Sequence, residues 1–546
     1  MYDTFELSGA KICQNLERMK SARVDFDSFY QILHNYFYVE AGNVTDKKNP
    51  GAELHALLDS TSLDCADVLA AGLSNYLTPE SSKWVYLEHS NPAIRDNDDV
   101  KAWMYDVSQE VLTVLAHSNF YNQMPIFYKS SGVYGTSTIV CESDEDDGIR
   151  FFNVPIRNAY ISEDSRERPS EFYLIYEFTA EQAVERFGKA CSQEIQQAYA
   201  ACQTEKKFKF CCYVGKRIVY DPEKRDKMNM PVRQVWVDMQ TKAVLKEDGF
   251  FMLPCMAHRF YKRPQIVYGY SPAMKALPFV RMANTLADTM LRAAMKQADP
   301  PIALPDDAFL GVPNFNPREI NYYQRGKLSP ADEIVPIGNY GNPAVSFETL
   351  DYYQNQIKRL MFYDTFQAFS GLTKQMTVPE VQERIAEKMT LLGPAVGRFM
   401  NDVLQPLIER VVTILFHDGR LPPLPDAMLS DPRYDVKFTG RLVQAQRQSE
   451  VSNIVNALAI AGQIAQMDPE VVDKIDGDSA VDEIVDITGV TTRLLRSDME
   501  VEAIRRSRAE QAAQAQALAQ QAAAAETYKT AATGDREAAN ADRLNG

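Results

Sequence analysis

Apolar residues recur every three or four positions in the first part of the chain, which is the period of an amphipathic helix. One such run extends over 54–77 and ends at a Thr-Pro pair, and a second covers 102–117. Because proline cannot continue a helix, the first run has a defined end. The pattern predicts that residues 1–130 are mainly helical.

Short apolar runs bounded by polar residues and glycines replace this pattern between 125 and 270, and such runs are typical of strands. The runs 137–141 and 149–152 flank an acidic segment at 142–148, which predicts a hairpin. Four further strands are predicted at 172–178, 208–214, 234–237 and 256–261.

Capping signals mark several helix ends. Thr179 and Gln182 have the spacing of a capping box, and Gly188 is the predicted stop of the helix that they begin. Thr377 and Glu380 repeat the box later in the chain. Each pair predicts a helix that begins at a defined residue.

Two helical patterns separated by a proline-rich stretch follow residue 270. The first covers 271–298, with Ser271 as a predicted N-cap, and the second covers 350–369. The stretch between them, 299–349, contains eight prolines and predicts a loop-rich insert with short strands near 334–337. This order predicts a helical hairpin that carries a small domain at its tip.

The longest apolar stripe extends over 396–415 and predicts a helix that Pro406 bends and Gly419 ends. Core packing is the favoured interpretation of this stripe, with a partner-binding face as the alternative. Shorter helices are predicted over 451–491. An alanine-rich and glutamine-rich helix is predicted over 492–527, and the final residues have a composition typical of disorder.

Composition narrows the function. The chain has 546 residues and a net charge of −16, so it lacks the basic surface of a protein that grips nucleic acid. Its eight cysteines form no C-x-x-C pair and the N-terminus has no signal-peptide pattern, which predicts reduced thiols in a cytoplasm. No apolar run is long enough to predict a membrane helix.

Motifs for catalysis are absent from the sequence. The phosphate-binding pattern G-x-x-x-x-G-K-[ST] does not occur, and the six histidines lack H-x-x-x-H or H-x-H spacing. The acidic segment 142–148 lacks the glycine and glutamate positions of a calcium loop, so a solvated hairpin is expected there. We therefore expect no enzyme activity, cofactor or metal; a nuclease remains the alternative that an acidic site would support.

Six segments of the chain carry recognisable motifs. They include DVLAAGLSNYLTPESSKW at 67–84, YEFTAEQAVERFG at 176–188 and a Y-G-x-S-P start that leads into a long helix at 268–301. The remaining segments lie at 134–136, 376–419 and 438–450. No segment is specific alone, but in this order over most of the chain they resemble the portal, or head-to-tail connector, family of short-tailed bacteriophages.

The resemblance implies an α+β, predominantly helical portal fold whose subunits form a ring, usually of twelve. It implies the following parts: a wing at 1–270 and 379–448, stem helices at 271–298 and 350–369, a clip at 299–349, a tunnel loop at 370–378, a crown at 449–491, and a barrel helix with a flexible tail at 492–546.

The resemblance also implies a function. The ring would be a channel for packaging and ejecting double-stranded DNA, without sequence specificity, at one capsid vertex of the virion, after assembly in the host cytoplasm. Its expected partners are capsid and scaffolding proteins, the terminase large subunit and tail proteins, with no membrane. The alternative is a tail adaptor or scaffold-like ring of the same virion.

Two sets of residues are predicted to meet the DNA. Lys374, Gln375 and Met376 of the tunnel loop would narrow the channel, with Lys374 touching phosphate transiently. The candidate residues on the inner wall of the stem are Lys275, Arg281, Asp288, Arg292, Lys296 and Lys358. A solvated loop lysine is the alternative interpretation of Lys374.

Overall fold

The computed structural model describes residues 8–39, 57–95, 97–144, 148–203, 205–224, 226–298, 302–303, 335–336, 343–370, 392–439, 454–464, 477, 480–481, 484 and 500–516. These residues form a mixed helical and sheet fold in which helices predominate, as the sequence predicted. Residues 371–378 of the predicted tunnel loop, with Lys374, Gln375 and Met376, lie outside the described residues, as does the capping box at 377–380.

Helices build the N-terminal part. They are α1 (Gly9–Phe37), α2 (Thr61–Leu77), the short α3 (Pro92–Arg95), α4 (Asp98–His117) and α5 (Phe120–Tyr134). The Ser8 side chain caps α1 and the Asn97 side chain caps α4. The predicted change to strands at residue 125 is wrong, because α5 continues through Pro125 to Gly135, which has a φ of 76°. Buried Met124, Phe127 and Tyr128 follow the helical period.

Two antiparallel sheets follow. Strands β2 (Thr136–Asp144), β3 (Gly148–Val154) and β9 (Cys255–Arg259) form the first, in the order β3-β2-β9. The second has five strands in chain order: β4 (Ala159–Glu163), β5 (Pro169–Thr179), β6 (Lys207–Lys216), β7 (Val232–Asp238) and β8 (Val244–Phe250). The predicted hairpin at 137–152 is confirmed, whereas β4 and β8 were not predicted.

Two helices accompany the five-stranded sheet. The capping box predicted at Thr179 and Gln182 is present at the start of α6 (Ala180–Phe187), and Gly188 follows the helix with a φ of 57°. The next helix is α7 (Gln193–Ala200). Phe187 packs with Phe210 and Trp236 in the core between the helices and the sheet.

A two-stranded sheet joins distant parts of the chain. Strand β1 (Val85–His89) pairs antiparallel with β12 (Tyr434–Phe438). Next to it, the Trp84 ring stacks between Phe120 and Phe438 at centroid distances of 5.9 and 6.3 Å. Strand β1 has few residues and a partner far along the chain, so the local pattern did not predict it.

A helical hairpin follows β9. Helix α8 (Pro272–Ala298) begins as predicted: the Met274 amide donates to Ser271 Oγ at 3.0 Å. Strands β10 (Ile302–Ala303) and β11 (Val335–Pro336) pair antiparallel and lead into α9 (Pro343–Leu360). The predicted single helix 350–369 is wrong at both ends. It begins earlier, at Pro343, inside the predicted clip at 299–349. Phe362, with a φ of 59°, then separates α9 from α10 (Tyr363–Ser370).

The long apolar stripe forms three consecutive segments: the helix Gly393–Phe399, a π-helical turn at Met400–Leu404 and the helix Gln405–His417. Pro406 has no backbone N–H to donate to the carbonyl of residue 402, and the wider π turn accommodates this loss. Most of the apolar side chains are buried in the largest core, so the core-packing interpretation is confirmed. Gly419 follows the run with a φ of 67°.

All eight cysteines are free thiols, and Cys202 is the exposed one among them. Within the described ranges, no helix has the length and apolarity needed to cross a membrane. Helices at 454–464 and 500–516 lie within the predicted crown and barrel segments.

Candidate functional site

The hairpin of α8 and α9 is fixed to the rest of the chain at its base. Buried Val280 and Ala283 of α8 and Ile357 of α9 pack in the largest core. The segment before α2 joins both helices: Asn284 Oδ1 accepts hydrogen bonds from the Leu58 and Asp59 amides, and Gln354 donates to Asp59 Oδ1 at 3.0 Å. The base of the hairpin therefore has a defined orientation.

The outer half of the hairpin is uncovered. On α8, Leu291 is 46% exposed and Met295 is 59% exposed; on α9, Phe347 is 58% exposed. Burying apolar surface contributes about 25 cal/mol per Å², so leaving three large side chains in water is unfavourable. Exposed large apolar side chains that recur on one element are typical of a surface that another molecule covers.

Most of the predicted channel residues lie on this hairpin. Lys275 is exposed, with its Nζ 4.1 Å from the Tyr261 ring centroid, and Arg281 is exposed. Arg292 Nε lies 2.8 Å from Asp288 Oδ2, and the arginine side chain is 73% exposed. Lys358 Nζ lies 5.8 Å from the Tyr363 ring centroid. The Lys296 side chain lies outside the described residues, although its backbone belongs to α8.

The charges on α8 are those of a solvated surface. The Asp288–Arg292 pair is exposed, and a pair of this kind contributes little to stability because water and salt screen it. Thr285 and Thr289 donate their hydroxyl hydrogens to backbone carbonyls one turn earlier. The arginines and Lys275 can thus make weak, reversible contacts with anions.

A buried ionic network lies where β9, the β4–β5 hairpin and the π turn meet. Arg259 is 2% exposed and contacts Glu163 and Asp402, and Lys262 Nζ lies 2.9 Å from Glu163 Oε1. Burial raises the pKa of Asp402, while Arg259 and Arg398 act in the opposite direction. No local sequence pattern predicted this network, because its members lie far apart along the chain.

His258 shows that a histidine here has a packing role. Its ring stacks on Phe399 with centroids 3.4 Å apart, and Nδ1 lies 2.5 Å from Ser131 Oγ. Complete burial lowers the pKa of His258 well below 6.5, and Arg398 and Arg259 act in the same direction. Among the residues that the structure describes, no three His, Cys, Asp or Glu side chains are placed to share a metal ion.

Comparisons with known proteins agree on one family. The profile of the family described as bacteriophage head to tail connecting protein matches residues 10–495. A protein named "Probable portal protein" from Bordetella phage BPP-1 is 29% identical over 519 residues, which cover 93% of this chain and 91% of the relative. A protein named "Portal protein" from Salmonella phage epsilon15 is 26% identical over 543 residues, covering 96% of this chain and 95% of the relative.

Proposed function

The chain belongs to the bacteriophage head to tail connecting protein family, and from this membership we propose that it is the portal protein of a short-tailed phage. Copies of it form a ring, of twelve subunits, at one vertex of the capsid. Double-stranded DNA passes through the ring during packaging and ejection. The relatives named as portal proteins align with nearly the whole chain, which supports the same role for the whole chain.

The uncovered outer half of the α8/α9 hairpin is the main structural observation in support of a ring. Leu291, Met295 and Phe347 are exposed in one subunit, although Val280, Ala283 and Ile357 at the base of the same hairpin are buried in the largest core. Neighbouring hairpins in a ring would cover them. The helix at 454–464 supports the same conclusion, because Val455, Ile460 and Ile464 are each at least 45% exposed.

The overall charge suits a channel that conducts DNA without holding it. Duplex DNA carries one negative charge per roughly 1.7 Å, so a wall dense in lysine and arginine would bind it tightly. This chain has 74 acidic and 58 basic residues. A ring of such chains keeps DNA centred, and contact is limited to a few cations such as Lys374 of the tunnel loop.

The parts of the chain have distinct roles in this proposal. The hairpin helices form the stem, and the insert between them at its tip, residues 299–342, forms a clip that docks the terminase and later the tail. The helical and sheet parts before residue 271, together with the long helical run, form the wing that meets the capsid. No enzymatic step is proposed, since DNA is moved by the terminase.

Native mass spectrometry of the purified full-length chain tests the proposal. We expect a closed oligomer of about twelve subunits, the size implied by the family. A chain that stays monomeric or dimeric at the highest soluble concentration would contradict it.

A further inference from the structure

We propose that α8 of one subunit pairs with α9 of the next through two oppositely charged edges, so that charge fixes the head-to-tail order of the ring. This inference rests on the proposed ring, in which each edge of the hairpin meets a second copy of this chain.

The two edges follow from the contact between the helices. Phe279 of α8 faces Tyr353 of α9 with ring centroids 6.4 Å apart. At 100° per residue, Arg281, Asp288 and Arg292 are rotated by about 200°, 180° and 220° from Phe279, so they lie on the side of α8 away from α9. By the same rule Glu348, Asp351 and Asn355 are rotated by about 220°, 160° and 200° from Tyr353, on the side of α9 away from α8.

Exposure agrees with this placement. Arg281 and Arg292 are exposed on the α8 edge, and Asp288 is partly exposed. Glu348, Asp351 and Asn355 are all exposed on the α9 edge. Within the described residues, neither Glu348 nor Asp351 makes an ion pair. Beyond its base, the hairpin therefore carries a mainly cationic edge on α8 and an acidic edge on the opposite side, on α9.

The charged residues also lie at matching levels along the hairpin. Phe279 faces Tyr353, and Asn284 and Gln354 both contact Asp59. Since the helices are antiparallel, either contact places Glu348 and Asp351 within the span from Arg281 to Arg292. Two cations also lie toward the α9 edge: Lys358 and the exposed Arg359 are rotated by about 140° and 240° from Tyr353. Both lie nearer the base than the two carboxylates, and the Lys358 amine is directed toward the Tyr363 ring.

Charge then selects one arrangement. Two α9 edges facing each other would bring four carboxylates together, and two α8 edges would bring four arginines together. Only the α8 edge of one subunit against the α9 edge of the next pairs opposite charges, and such a heterologous contact repeats into a ring when its rotation closes. The contact between the α8 edge of one subunit and the α9 edge of the next is called the seam below. Arg281, Asp288 and Arg292 then lie in the seams instead of on the channel wall.

Two charge-reversed full-length variants test the seam. Variant A carries Arg281→Glu and Arg292→Glu, and variant B carries Glu348→Arg and Asp351→Arg. Each reversal puts like charges across every seam, so each variant alone should need at least about tenfold more protein than wild type for half-assembly at low salt. Salt of about 1 M should reduce the difference to a few-fold, because it screens exposed charges.

An equal mixture of the two variants tests whether opposite charges at the seam are enough to restore assembly. Variant A offers two acidic edges and variant B two basic edges, so alternating subunits restore opposite charges at every seam. Native mass spectrometry should show rings of equal composition. The matched control reverses Glu181 and Glu185, which are exposed on α6, and should assemble as wild type does. Circular dichroism of each unassembled variant establishes that it folds.

The outcomes separate this inference from the proposed function. A wild type that forms no ring contradicts the proposed function itself. Wild-type rings together with variants A and B that each assemble as readily as wild type overturn the seam and leave the ring. A mixture of folded variants that does not recover assembly also overturns the seam.

Discussion

Single buried polar residues connect parts of the chain that lie far apart in sequence. Arg23 is 1% exposed, donates to the carbonyls of Ala159 and Arg157, and lies 3.8 Å from the Tyr160 ring centroid. Arg259 similarly joins β9 to the π turn through Asp402. Because a buried charge that loses its partner is strongly destabilising, these residues fix the position of α1 and the long helical run.

Stability should depend on pH through His258. Its pKa in the folded chain lies well below 6.5, so below pH 6.5 the unfolded chain binds a proton that the folded chain does not. The contribution of His258 to the free energy of unfolding is therefore retained above pH 6.5. Below pH 6.5 it decreases by about 1.4 kcal/mol per pH unit. Thermal unfolding of wild type from pH 7.5 to 5 should show a decreasing midpoint.

The variant His258→Gln isolates this effect. It should unfold at a lower temperature than wild type at pH 7.5, because the stacking on Phe399 is lost, but its midpoint should fall less between pH 6.5 and 5. The control His117→Gln changes an exposed histidine and should keep the wild-type slope. Equal slopes for all three proteins would remove His258 as the cause.

If the tunnel loop reaches the channel as proposed, Lys374→Glu should impair the packaging or retention of DNA and leave ring assembly intact. Twelve carboxylates would replace twelve amines around the duplex and repel its phosphates. We expect a lower fraction of full heads or more leakage of packaged DNA, counted by electron microscopy, and Lys374→Arg should behave as wild type. Unchanged filling and unchanged leakage with Lys374→Glu would leave the loop as a simple connection.

Helices whose ends are set by contacts between residues close in sequence were predicted from the sequence. The capping box at Thr179 and the N-cap Ser271 are side-chain contacts within four residues, and both are present. Strand β1 and the break at Phe362 depend on tertiary packing, so the residue pattern alone did not show them. Pro406 predicted a bend, and the structure has a π turn just before it.

The seam on the hairpin also could not be predicted from the sequence alone. The channel candidates on α8 were predicted from their charge, without the direction of α9. The contact between Phe279 and Tyr353 supplies that direction and separates the two edges. The Lys374 segment lies outside the described residues, so its role stays a prediction.

The insert at the hairpin tip can be tested as a unit. Strands β10 and β11 pair Ala303 with Val335, so residues 304–334 can be replaced by a short Gly-Ser turn that keeps the strands together. If this insert is the clip, the variant should form rings yet bind the terminase and the tail proteins at least about tenfold more weakly, since the docking surface is gone. Pull-down of both partners at wild-type levels would contradict this role.

In the whole molecule, one subunit has a large, well-packed core, but parts of its surface lack a covering partner. The largest core joins the N-terminal helices, the first sheet, the base of the hairpin and the long helical run. Large apolar side chains stay exposed at the outer half of the hairpin and on the helix at 454–464. This distribution is typical of a protein that completes its fold in a symmetric assembly.

Cryo-electron microscopy of the purified full-length protein would show directly whether the chain forms a DNA channel. We expect a closed ring in which the α8/α9 hairpins of successive subunits surround a continuous channel wide enough for a B-form duplex. A ring whose axis is filled by protein, or an assembly in which the hairpins point away from any axial opening, would contradict it.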